Sequence, residues 1–169
     1  NPPTRYIQET YMTSMPALKL HPSGDYILCQ SLNNQISVYK CMDTVVHHPR
    51  KRFNGHKVGG FALQPVVSPD GEFVGSGDCE GNLWFWNWKT CKVLKKMPAH
   101  NGANSGLAWH PVESSYVASS GWDGVIKLWS CSVCSLTFGQ QTPQRHTHHS
   151  LNRLRAPHDR GYDPCGEQR

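Results

Sequence analysis

Apolar and polar positions alternate in short runs along this chain, and the runs recur. Tyr26-Ile27-Leu28-Cys29, Phe73-Val74-Gly75-Ser76 and Tyr116-Val117-Ala118-Ser119 are each followed, after a polar turn, by Ile36-Ser37-Val38-Tyr39, Leu83-Trp84-Phe85-Trp86 and Ile126-Lys127-Leu128-Trp129. Ahead of them stand Ala17-Leu18-Lys19-Leu20, Pro65-Val66-Val67 and Gly106-Leu107-Ala108-Trp109. Short runs rich in Val, Ile, Tyr, Phe and Trp with a period of two predict strands. Pro22-Ser23-Gly24 and Pro69-Asp70-Gly71 supply proline's fixed φ and glycine's tolerance of positive φ at the first turn, and Glu80-Gly81 and Asp123-Gly124 suit a two-residue hairpin at the second. Each unit therefore reads as three short strands, with a fourth in the connector to the next unit.

The markers keep step with one another. Pro22, Pro69 and Pro111 recur at intervals of 47 and 42, and Tyr39, Trp86 and Trp129 at intervals of 47 and 43. Such agreement identifies a structural repeat. A four-stranded sheet of this composition has no means of burying both faces alone, so it must stack on neighbours, and repeats of this length stack around a ring. Rings built from units of roughly 40–45 residues commonly need about seven of them, and 169 residues fall well short. The expected architecture is an all-β, incomplete β-propeller of about three four-stranded antiparallel blades, near 10–53, 54–97 and 98–130, with 1–9 from a preceding blade and a low-order tail at 131–169.

Gly55-His56, the weaker Ala99-His100, and Gly121-Trp122-Asp123-Gly124-Val125-Ile126-Lys127-Leu128-Trp129 resemble the glycine-histidine and tryptophan-aspartate signatures of WD (WD40) repeats. The resemblance implies a hydrogen-bonded tetrad of His, strand Ser or Thr, turn Asp and strand Trp inside each blade. By position these become His100, Ser119, Asp123 and Trp129 in the third unit. In the second they become His56, Ser76 and Trp86, with Glu80 where Asp would be expected. The first unit has Asn33 and Tyr39 at the Asp and Trp positions and no Gly-His ahead of it, so its tetrad is absent or degenerate. A buried imidazole and indole need hydrogen-bond partners, since leaving one unpaired costs about 1–3 kcal/mol. The tetrad is thus expected to specify the blade. As a catalytic pair, His100 and Asp123 would imitate a general base and its orienter, but no nucleophile accompanies them at the same repeat position, and no catalytic residue is assigned.

The resemblance also implies that the residue before the turn Asp sits on the ring's top face, where partners dock. That places Trp122, with Cys79 and Leu32 at the equivalent positions, on a candidate interaction surface. An exposed Trp is a good interface anchor; packing of Trp122 against a neighbouring blade is the alternative. Tyr6-Ile7-Gln8-Glu9, Met12-Thr13-Ser14-Met15-Pro16-Ala17, Cys29-Gln30-Ser31-Leu32-Asn33-Asn34-Gln35-Ile36 and Trp86-Asn87-Trp88-Lys89-Thr90 are more particular than the generic repeat. They resemble the last blades of a family of WD-repeat pre-mRNA splicing factors acting at the second catalytic step. That resemblance implies a nuclear, non-enzymatic spliceosomal scaffold. Its partners would be spliceosomal proteins and snRNA or pre-mRNA, with no cofactor, small-molecule substrate or membrane. Another WD-repeat adaptor, such as a ubiquitin-ligase substrate receptor, is a competing reading.

Charge and cysteine usage change this picture little. Seventeen Lys and Arg against twelve Asp and Glu give a formal +5, compatible with acidic partners or RNA but diagnostic of neither. The cations gather at Arg50-Lys51-Arg52 and at Lys92, Lys95 and Lys96. Seven cysteines, an odd number without a compact framework, suit free thiols in a reducing compartment. No stretch approaches the roughly 20 apolar residues of a membrane span. Beyond Trp129 the repeat grammar stops. Cys131, Cys134, His146 and His149 approach the spacing of a two-Cys, two-His zinc finger, which would make a zinc-dependent nucleic-acid binder. The loop and the His spacing are both slightly short, and the apolar residue expected in the finger's helix before the first His is missing, with Pro143 nearby instead, so no metal is assigned.

Overall fold

A computed structural model of the protein describes residues 13–41 and 45–130. Eleven strands are present among them, and no helix. The first sheet comprises β1 (Ala17–Leu20), β2 (Tyr26–Ser31), β3 (Gln35–Cys41) and β4 (Val45–Asn54). The second comprises β5 (Val66–Val67), β6 (Phe73–Gly77), β7 (Asn82–Asn87) and β8 (Val93–Pro98). The third holds β9 (Asn104–Trp109), β10 (Tyr116–Gly121) and β11 (Ile126–Ser130). Every pairing is antiparallel between consecutive strands. This is the up-and-down meander of a propeller blade, and the sheets make up an incomplete β-propeller.

The repeat seen in sequence is a repeat of register. Ile27 faces Tyr39, Val74 faces Trp86 and Val117 faces Trp129 across the second hairpin of their sheets. That hairpin requires a left-handed residue at one place: Gly81 has φ +86° and Gly124 +73°, while the first sheet uses Asn34 at +67°. Asn tolerates this region better than other non-glycine residues, so the first unit keeps the turn without glycine. At Gly81 a Cβ would stand 2.0 Å from the His100 carbonyl oxygen, so glycine is needed there for space as well as for φ.

Burial follows the stacking of sheets. Leu28, Ile36, Val38, Phe53, Val67, Val74, Trp84, Trp86 and Trp88 form one core cluster drawn from the first two sheets. Phe53 lies 5.9 Å from Trp88 and 6.1 Å from Trp86 between ring centroids. The Trp86 indole N–H donates to the Asn54 carbonyl at 3.0 Å. His21 stacks on Trp88 at 4.2 Å and donates from Nε2 to the Gly71 carbonyl at 3.1 Å, pinning the first turn of one sheet to that of the next. The second and third sheets meet where Trp109 packs on Phe73 and Phe85. Gly75 there leaves room for Leu107.

Candidate functional site: polar networks and the face they support

In the third sheet the residues of the proposed tetrad stand in one chain of hydrogen bonds. His100 Nδ1 lies 2.9 and 3.1 Å from the two Asp123 carboxylate oxygens, and its Nε2 lies 2.8 Å from Ser119 Oγ. The Trp129 indole N–H donates to the same Oγ at 2.8 Å. An ionised carboxylate only accepts, so Nδ1 carries the proton and Nε2 accepts from the Ser119 hydroxyl. The donor direction therefore runs Trp129 to Ser119 to His100 to Asp123. Asp123 also receives the backbone N–H groups of Asn101 and Val125 at 3.1 and 3.2 Å. Desolvation works to raise its pKa, and these two N–H groups with the His100 ring outweigh it, leaving the carboxyl below its ordinary value. Gly121 makes the space, for a Cβ there would meet the His100 ring at 2.5 Å.

Ser119, His100 and Asp123 have the contacts of a hydrolytic triad, so a nucleophile type does accompany the pair, contrary to the sequence reading. Ser119 is buried, and its oxygen accepts the indole N–H of Trp129, so in this sheet the hydroxyl is a link in the hydrogen-bond chain.

The second sheet is built differently from the expected tetrad, and the reading of His56, Ser76 and Trp86 as one network is corrected here. Ser76 donates to the Gly77 carbonyl at 3.1 Å and Trp86 to the Asn54 carbonyl at 3.0 Å. His56 touches Trp86 only edge-to-face, at 5.3 Å, and its Nε2 pairs with Gln30 Oε1 at 3.0 Å in the first sheet. The cause is Glu80. Its longer side chain leaves the interior and pairs with Lys57 at 2.5 Å in solvent, so His56 has no carboxylate. The Gln30 amide nitrogen donates to the Ser31 and Gln35 carbonyls, which turns Oε1 toward His56 and fixes the proton on Nε2. Nδ1 is buried with no partner among the described residues. Burial pushes the His56 pKa down to about 4, against a smaller opposing pull from Asp78.

Asp78, not anticipated from sequence, organises the second hairpin instead. One carboxylate oxygen accepts the backbone N–H groups of Glu80 and Asn82 at 2.9 and 2.7 Å. The other accepts the Asn82 amide at 2.8 Å and the Trp84 indole at 2.7 Å. The available signal was Asp78-Cys79-Glu80-Gly81 itself, an Asp at the first position of a turn with Gly at the fourth.

The three candidate surface residues lie at the three equivalent hairpins. A single connector touches each hairpin. Val58 N–H donates to Asn34 Oδ1 at 2.7 Å, Cys79 N–H donates to the Lys57 carbonyl at 2.8 Å, and Phe61 meets the Trp122 ring edge-on at 4.9 Å. Gly59 lies so close to Cys79 that a Cβ would stand 2.9 Å from it. Leu32 and Cys79 are half-buried, but Trp122 is 70% exposed. Trp122 thus does both things considered for it: it leans on the preceding unit's connector and shows most of its ring to solvent. Phe61 was missed because it follows Gly59-Gly60 outside the strand pattern.

Among the described residues no group of His, Cys, Asp or Glu could hold a metal. The four zinc candidates, Cys131, Cys134, His146 and His149, lie outside those residues. A cavity of about 360 Å³ opens where the first strands of the three sheets converge, walled by Leu20, Pro22, Pro65, Pro69, Trp109 and Pro111.

These sheets, turns and networks define a WD-repeat blade array. The family model described as "WD domain, G-beta repeat" matches residues 47–87 and 91–130, and the chain belongs to the WD40-repeat family. It is similar to Pre-mRNA-processing factor 17 of Homo sapiens, at 45% identity over 125 residues, 74% of this chain and 22% of that protein. It is also similar to Pre-mRNA-processing factor 17 of Saccharomyces cerevisiae, at 37% over 128 residues, 75% of this chain and 28% of that protein. WD repeat-containing protein 25 of Mus musculus is 30% identical over 114 residues, 68% of this chain and 21% of that protein. The chain spans between a fifth and a third of the length of each of these relatives.

Proposed function

We propose that the chain is a non-enzymatic interaction platform of a pre-mRNA splicing factor, working in the nucleus within the spliceosome at the second catalytic step, with spliceosomal proteins and snRNA or pre-mRNA as partners. The likeness to Pre-mRNA-processing factor 17 across 125 residues carries this reading. The face around Trp122, Phe61 and Cys79 gives the platform a place to act. Trp122 is a rigid aromatic anchor, half supported by Phe61, and such residues dominate binding energy at interfaces. The polar networks beneath hold the hairpins that present it, so their role is positional.

The test is affinity capture of the tagged protein from nuclear extract, with snRNA probed in the eluate, and a splicing assay in extract depleted of it. The expected results are co-purified snRNA and spliceosomal proteins, and a depleted extract that accumulates first-step products. Capture of ubiquitin-ligase subunits without snRNA, or normal exon ligation in the depleted extract, would overturn the proposal.

A further inference from the structure

The outermost strands of the first two sheets carry a concentration of positive charge that no ion pair among the described residues balances. β4 reads Val-Val-His-His-Pro-Arg-Lys-Arg-Phe-Asn and β8 reads Val-Leu-Lys-Lys-Met-Pro. Neither contains a carboxylate. With Lys92, just before β8, they contribute Arg50, Lys51, Arg52, Lys92, Lys95 and Lys96, six of the seventeen cationic side chains. Among the described residues, the Lys ion pairs are Lys57 with Glu80 and Lys89 with Glu72, and neither pair includes a residue of these strands. The six cations therefore have no ionic partner among the described residues.

The two strands belong to one surface. Lys51 reaches across from β4, donates from Nζ to the Trp88 carbonyl at 2.9 Å, and lies 3.8 Å from the centre of the Trp88 ring. On the other side of the seam Lys96 lies 4.8 Å from the centre of the Trp84 ring. The same Trp84 ring lies where a Cβ on Gly55, at the end of β4, would be 3.2 Å away. Two ammonium groups are thus held in place along the seam by aromatic rings. Arg50, Arg52, Lys92 and Lys95 are exposed as well; Arg52 lies on the face of the first sheet opposite Phe53 and Lys95 on the face of the second sheet opposite Lys96, so the charge wraps the outer edge on both sides of the seam. The pairing of β4 with β3 is irregular here, with Ser37 opposite Arg52 and Tyr39 opposite His47, so residues 48–51 bulge from the ladder and carry Arg50 and Lys51 outward. Trp84 and Trp88 are themselves buried and offer no ring for base stacking.

We infer that this outer rim, formed by β4 and β8, binds the phosphate backbone of RNA without reading its sequence. The chemistry fits a polyanion, and the burial of the two indoles that hold Lys51 and Lys96 fits contact with the backbone and not stacking of bases on those rings. An acidic protein segment is the competing partner. The inference deepens the splicing proposal by naming the chemistry of one partner surface, and rests on it only for where RNA would be met. With purified components it succeeds or fails apart from that proposal.

The test is fluorescence anisotropy of the full 169-residue chain with a labelled single-stranded oligouridylate between 50 and 200 mM KCl. For single strands the logarithmic salt slope is about −0.7 per neutralised phosphate, so six contacts give a slope near −4 and about a 300-fold loss of affinity across that range. Replacing Arg50, Arg52, Lys92 and Lys95 together by Gln is expected to bring the slope to about −1.4 and to weaken binding at least tenfold at low salt. The comparison variant replaces Lys19, Lys40, Lys57 and Lys89 by Gln. It removes the same net charge from exposed positions outside β4 and β8 and is expected to change affinity less than threefold. Equal losses in the two variants, no binding at 50 mM KCl, or a polyglutamate of equal length binding as tightly as the RNA would each overturn the inference.

Discussion

His56 Nε2 pairs with Gln30 Oε1 of the preceding sheet at 3.0 Å, whereas His100, at the same place in the next unit, stays within its own sheet and pairs with Asp123 and Ser119. One repeat position therefore serves two purposes: it ties a hairpin together in one unit and ties two units together in the other.

This difference makes the first seam acid-sensitive. Protonating His56 would place a charge on a ring 1% exposed, with Nδ1 lacking an acceptor among the described residues. Burial depresses the folded pKa from 6.5 to about 4. The unfolded chain thus binds the proton first, and stability is full above pH 6.5 and falls as pH drops toward 4. The loss amounts to about 3 kcal/mol. Melting temperatures of wild type and His56→Gln between pH 7 and pH 4.5 check this, with a shallower decline expected in the variant.

Asp78 should be the least replaceable acceptor in the second sheet. Asp78→Ala strands four donors, including the Trp84 indole, and the expected cost is about 3–5 kcal/mol. Asp78→Asn, which keeps one carbonyl oxygen, should lose less. Urea denaturation of both variants measures the difference.

For the third-sheet network, His100→Ala leaves Ser119 and Asp123 without their shared partner and should cost about 2–4 kcal/mol. Asp123 titrates in the opposite sense to a group gaining protons on folding. Its folded pKa lies below the ordinary 3.8, so its contribution is complete above that value and disappears as pH falls through the lowered one. Asp123→Asn should therefore flatten the stability profile below pH 4 and leave the His56 region between pH 4 and 6.5 unchanged. Acid titration followed by circular dichroism distinguishes the two.

Trp122→Ala should separate binding from stability. The ring is 70% exposed and its contact with Phe61 is edge-to-face, worth about 0.5–1.5 kcal/mol. A small change in melting temperature is expected, together with loss of the spliceosomal proteins captured by wild type. A large fall in stability with unchanged capture would show the residue to be packing only.

Ile126 and Leu128 are 80% and 72% exposed, whereas their equivalents Ile36, Val38 and Leu83 are fully buried under the adjoining sheet. The third sheet thus presents a face of the kind that the next blade covers in a ring. This chain on its own is expected to bind a hydrophobic dye and to self-associate at micromolar concentration. Ile126→Lys with Leu128→Lys should reduce both, as measured by dye fluorescence and sedimentation velocity.

The strands, hairpins and repeat were legible in the chain because period-two alternation, the Pro and Gly turns and the closing aromatics are local properties. The third-sheet residues His100, Ser119, Asp123 and Trp129 could be named for the same reason: each holds a fixed place in the repeat. What the sequence could not decide was which polar group each buried donor would find. Glu80 and Asp78 lie two positions apart, and only packing determined that Glu80 turns outward to Lys57 while Asp78 takes the interior. His56 then had to find Gln30, because a buried ring nitrogen must take the nearest acceptor that three-dimensional stacking offers. Likewise Phe61 belongs to no strand pattern, and it joined the face at Trp122 only when the connector folded across three hairpins. Sequence by itself determined the blades; the tertiary structure decided how they are bonded to one another, since those bonds join residues that no period relates.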